Sequence, residues 1–130
     1  MPHDPDLLEP LGLVVWASAR LHAGIRDAIG RLAGALSDTP FDDTLGTSRR
    51  DLEAAARVAG RSDVVDWCAG PGLQAVRARN GVMHAVAYTA DDGKQAIRST
   101  RRNGDSRYLV GALLDVAEHL VDASRTLPVI

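Results

Sequence analysis

The sequence predicts an all-α domain: a four-helix up-and-down bundle with a bent third helix and a short β-hairpin before the last helix. Three observations predict it. Hydrophobic residues make up 45% of the 130-residue chain but aromatics only 4%, so the core must be aliphatic, which favours Ala- and Leu-rich helix packing over a β-sandwich. Apolar residues recur at three- and four-residue steps over long stretches, the spacing of amphipathic helices. Clusters of Gly, Pro and Asp punctuate those stretches where a chain must turn. The length suits one domain with a sizeable core, spanning 1–130, and is too short for two.

The first helix is the clearest. Leu7 or Leu8, Leu11, Val14, Val15, Ser18, Leu21, Ile25, Ala28, Ile29, Leu32 and Leu36 keep helical spacing, with Pro10 in the first turn and an end near Ala35. His22 borders the apolar stripe and reads as an interface or surface residue rather than a ligand. Ser37 to Gly46 reads as a loop, and its Asp38, Asp42 and Asp43 lack the spacing of a calcium loop. Thr47 or Ser48 caps a second helix running to about Ala59, with Leu52, Ala55 and Ala56 along one side and Gly60 at its end. Ser62 caps the next run, Asp63 to Ala69, and Gly70, Pro71 and Gly72 bend it. The motif helix continues from Pro71 or Gly72. After it, Ala85 to Thr89 and Lys94 to Thr100 read as two strands of a hairpin about a Asp92-Gly93 turn. Asp105 or Ser106 caps the last helix, in which Leu109, Leu113, Val116, Leu120 and Ala123 form the buried stripe and Pro128 the stop.

The stretch with chemical character is Arg79 to His84, RNGVMH. On a helix from Leu73 to Tyr88, Asn80 and His84 stack at i and i+4. One apolar arc holds Leu73, Val76, Met83 and Ala87; a second holds Ala75, Ala78, Val82, Ala85 and Val86, so both sides are buried. Arg79 and His84 then lie roughly 140° apart and about 7.5 Å along the axis, so they do not converge within one helix. Two copies across a two-fold axis bring the same patch together twice.

An arginine, a polar residue and a histidine at this spacing resemble the defining motif of HEPN domains, small helical-bundle modules of nucleic-acid enzymes and toxin-antitoxin pairs. The resemblance implies a composite site at a homodimer interface and metal-independent cleavage of RNA, in a toxin or a phage-defence component with an antitoxin protein as partner. The residues suit that chemistry. His84 can take or give a proton near neutral pH, Arg79 can hold a phosphate and stabilise developing charge, and Asn80 can orient either. The 2′-OH makes RNA the natural substrate. In some toxin relatives a tyrosine follows the motif histidine by two residues. Here that position is Val86 and the tyrosine is Tyr88, a departure from that subgroup.

Fourteen of the fifteen basic residues are arginine, and the formal net charge is −2, so nucleic-acid contact must come from a local patch. Between Arg77 and Arg107, seven cations (Arg77, Arg79, Lys94, Arg98, Arg101, Arg102, Arg107) face three acids. Arg77, Tyr88, Lys94, Arg98, Arg101 and Arg102 are the candidate RNA contacts, through phosphate pairing and base stacking.

Other chemistries find no support. Cys68 is the single cysteine, too few for an intrachain disulfide or a four-cysteine zinc site, and reads as a small packed side chain. Asp115 stands four before His119, so the two-histidine metalloprotease helix is not formed. No Gly-rich phosphate loop, metal set or cofactor motif is visible. The N-terminus carries three acids and three prolines in ten residues, unlike a signal peptide, and arginines interrupt the longest apolar run; the expectation is a soluble cytoplasmic protein without membrane contact. Two other readings of the same residues stay open: a non-catalytic module that binds RNA or nucleotide or scaffolds a partner, and a helical dimerisation domain in which Arg79, Asn80 and His84 fix the interface.

Overall fold

The structure is a computed structural model that describes residues 5–34, 43–83, 85–89, 95–99, 107–108 and 110–130. Five helices occur in the order α1 (Pro5–Ala33), α2 (Leu45–Val58), α3 (Ser62–Ala69), α4 (Pro71–Met83) and α5 (Val110–Thr126); strands β1 (Ala85–Thr89), β2 (Gln95–Ser99) and β3 (Arg107–Tyr108) lie between α4 and α5.

The helical bundle stands, but the expected fold class needs two corrections. The third helix is not one bent rod. Gly70 leaves helical geometry altogether (φ −105°, ψ −101°) while its N–H still closes α3 on Asp66 O and its carbonyl opens α4 by accepting from Gln74 N. A residue that serves as the last donor of one helix and the first acceptor of the next makes a corner of two helices rather than a kink. The short hairpin does not stand as the whole element either: β1 and β2 pair antiparallel, and β3 joins them in one three-stranded sheet, with Val86 opposite Arg98 and Ile97 opposite Tyr108. The third strand takes up residues 107–108, so α5 starts only at Val110, just after the expected start. The motif helix also ends at Met83 and β1 begins at Ala85. Ala85, Val86 and Ala87 therefore belong to a strand; the second apolar arc keeps Ala75, Ala78 and Val82 but loses Ala85 and Val86, and the first loses Ala87.

Smaller differences have local causes. α1 starts at Pro5, which places Pro10 inside the helix rather than in its first turn, where it omits one backbone donor. α2 starts at Leu45, because Thr44 and not Thr47 or Ser48 is the cap: Thr44 is extended (φ −75°, ψ 161°) and its hydroxyl accepts from Thr47 N at 3.2 Å. Its end matches the expected glycine stop. Gly60 is left-handed (φ 71°), and Arg61 N→Ala56 O with Gly60 N→Arg57 O complete a Schellman motif. At the start of α3 the cap position is Arg61, not Ser62, and it makes no side-chain cap bond.

The core is aliphatic, as its composition requires. Val14, Leu21 and Ile25 of α1, Leu52 of α2, Val64 and Cys68 of α3, and Leu113 and Leu120 of α5 are fully buried, with Ala75, Val76 and Val82 of α4 in the same cluster. Trp67 is the buried aromatic, and its indole N–H donates to Ala123 O (3.1 Å) and Thr126 Oγ1 (3.2 Å), tying α3 to the end of α5. Arg49 bridges α2 to α3 by donating to Glu53 and to Cys68 O, both at 3.0 Å. No helix among the described residues is long and apolar enough to cross a membrane.

Candidate functional site

Of the motif, Arg79 and Asn80 are described and adjacent. Both side chains are half-buried on α4. Arg79 Nη1 donates to Asn80 Oδ1 at 3.1 Å, so the amide fixes one edge of the guanidinium, whereas Arg79 Nε is buried with no hydrogen-bond partner. A buried donor without a partner costs free energy of order 1–3 kcal/mol, and sites that keep one commonly have a use for it. α4 packs against α5, α3 and α2, and the Arg79 charge is felt at His22 of α1.

The remaining candidates separate. His84 lies between α4 and β1, outside the described residues, as do Lys94, Arg101 and Arg102. Tyr88 and Arg98 stand on β1 and β2, on adjacent strands of the sheet that follows α4, and only their backbones are described. Arg77 is on the exposed side of α4, away from the half-buried Arg79 edge.

Sequence reading missed the residues that the fold adds to this edge. His22 of α1 shares a 2.7 Å hydrogen bond with Ser48 of α2. Its pKa is lowered, first by burial and then by the charges of Arg26 and Arg79, with Asp43 pulling the other way. These charges come from α1, α4 and the segment entering α2, and together with burial they favour the neutral imidazole. Arg26, one turn after His22, faces Asp43 at 3.7 Å. Ser18, one turn before it, is buried with its hydroxyl oxygen unpartnered among the described residues. The signal in the sequence was the row Ser18, His22, Arg26 at i, i+4, i+8: a polar line along an otherwise apolar helix. Nothing local pairs that row with Ser48 or Arg79, which lie 26 and 57 residues further along.

Cys68 stays outside the site. Burial raises its thiol pKa to about 11, so it carries no thiolate at neutral pH. Among the described residues no group of three or more His, Cys, Asp or Glu side chains is arranged to hold a metal ion.

Compared with protein-family models, curated proteins and solved structures, the chain matches none.

Proposed function

We propose that this chain is a metal-independent endoribonuclease of HEPN type that works as a cytoplasmic homodimer, in a toxin or phage-defence role. The observation that carries the reading is the Arg79–Asn80 pair: a guanidinium anchored on one edge, with a buried Nε–H left over, five residues ahead of His84. A fixed guanidinium with an unspent donor is suited to a phosphate oxygen. His84 supplies the proton transfer and the RNA 2′-OH the nucleophile. Leu8, Val15 and Trp16 on the outer side of α1 are 48%, 52% and 54% exposed, an apolar row of the kind that a second copy covers.

The test is incubation of wild type and His84→Ala with labelled single-stranded RNA in EDTA, alongside light scattering to establish the dimer. Cleavage by the wild type and none by the variant is expected. A dimeric wild type that leaves varied RNA substrates intact overturns the reading.

A further inference from the structure

We propose that the outer face of α1 is a self-complementary docking surface whose occupant is the same face of a second copy of this chain, the two helices running antiparallel across a two-fold axis. This deepens the ribonuclease reading by naming the surface of its homodimer, but the pairing rests on α1 and the start of α5 and holds equally for a dimer that cleaves nothing.

α1 lacks an ordinary solvent face. From Leu8 to Ala23 its exposed side chains are apolar except for Glu9 and Arg20, and Leu8, Leu13, Val15 and Trp16 are 41–54% exposed. A helix that is apolar on its outer as well as its inner side belongs inside something larger than one chain.

The residues that carry the pairing stand in one stripe. Glu9, Leu13, Trp16 and Arg20 follow at steps of four, three and four, the spacing of a helix–helix seam, and fall within roughly 60° of arc. Toward the N-terminal end of the stripe an open groove of about 400 Å³ lies between α1 and the start of α5, lined by Asp6, Glu9, Pro10, Leu13 and Leu114. Toward its other end the Arg20 guanidinium lies over the exposed Trp16 ring, 5.1 Å from the centroid. One end is an apolar hollow that carries carboxylates, and the other is an indole that carries a cation. Each is the chemical complement of the other.

Symmetry brings them together. A two-fold axis midway along the stripe, perpendicular to it, sets Glu9 opposite the partner's Arg20 and Leu13 opposite the partner's Trp16, and each contact is made twice. The indole then covers the apolar floor of Leu13 and Leu114 while the guanidinium meets the carboxylate at the rim. A parallel pair would set Glu9 on Glu9 and Arg20 on Arg20, like charge against like.

Sedimentation equilibrium of the full chain over a concentration series measures the dimer Kd, with circular dichroism as the check on folding. Wild type should dimerise. Glu9→Arg and Arg20→Glu each put like charges where opposite ones met, at two places per dimer, and each should raise Kd roughly tenfold or more. The two reversals in one chain restore opposite charges and should return Kd to within about threefold of wild type. Trp16→Ser should raise Kd roughly a hundredfold, the loss expected for a central aromatic anchor. A wild type that stays monomeric throughout the series overturns the proposal, as does a dimer whose Kd ignores Trp16→Ser and both single reversals. A double reversal as weak as the single ones overturns the antiparallel register and the pairing with it. A dimer that answers to these variants but leaves RNA intact refutes the ribonuclease reading alone. Cleavage of RNA by a dimer indifferent to all of them refutes the α1 pairing and leaves the ribonuclease reading standing.

Discussion

Gly72 offers the sharpest check on the packing described above, because helix propensity and packing predict opposite signs there. It stands in the first turn of α4 and is buried. A β-carbon placed on it would sit 2.8 Å from Trp67 Cζ3 and 3.1 Å from both Cε3 and Cη2, closer than carbon atoms pack. The ring cannot swing aside freely, since its N–H is held by Ala123 O and Thr126 Oγ1 on α5. Gly→Ala in an ordinary helix position stabilises by about 1 kcal/mol. Against that, overpacking of a filled core costs about 1–3 kcal/mol, and displacing the indole from its acceptors costs about 1 kcal/mol more. The net expectation for Gly72→Ala is a loss of about 1–3 kcal/mol, which for a domain of this size lowers Tm by roughly 3–12 °C. Gly12 of α1 is the control: nothing lies within 4 Å of its would-be β-carbon, so Gly12→Ala should gain about 0.5–1 kcal/mol. Urea denaturation followed by circular dichroism, with Trp67 fluorescence read in a Trp16→Phe background, gives both values. If Gly72→Ala is as stable as Gly12→Ala and the Trp67 emission is unmoved, the contact between the α3–α4 corner and the indole is not there.

Two further outcomes follow from the titrating groups. His22 is depressed in the folded chain relative to 6.5, so over the window from about 6.5 down to its folded value the unfolded chain binds more protons. Stability is full above that window, falls as pH drops through it, and levels off below. Comparing urea midpoints at pH 7.5 and pH 5.5, His22→Gln should lose less stability on acidification than wild type; equal losses would show that His22 is not held neutral by its neighbours. Cys68, buried and with its thiol raised to about 11, should resist a thiol reagent at pH 8 in the native state and react at once in urea, and rapid native labelling would contradict its place in the core.

Much of the helical framework was legible in the chain. α1, α2, α3 and α5 follow from apolar residues at helical spacing, and some of their ends from residues whose backbone preferences are local: Gly60 in the left-handed region and the Gly70-Pro71-Gly72 run. Errors of two or three residues at those ends arise where several candidate caps stand in a row, as Thr44, Thr47 and Ser48 do, and only the backbone angle of each decides among them. The larger ambiguity lies after Met83, where the sequence supports both a helix running to Tyr88 and a strand over Ala85 to Thr89, and the structure has the strand. Ala85, Val86 and Ala87 fit both a helix face and a strand, and their pairing with residues ten or more positions onward is what selects the strand.

The site divides in the same way. RNGVMH stood out because a polar pair and a histidine interrupt an apolar run, and Arg79 and Asn80 do pair. That is a local fact, set by two neighbouring side chains on one helix. Tertiary structure alone decided that Ser48 comes to His22, since the two sit on separate helices and a lone histidine beside an apolar stripe carries no mark of what packs across from it. Sequence determines the elements through short-range periodicity and capping. Which of their polar side chains meet depends on how the helices pack, as His22 of α1 and Ser48 of α2 do.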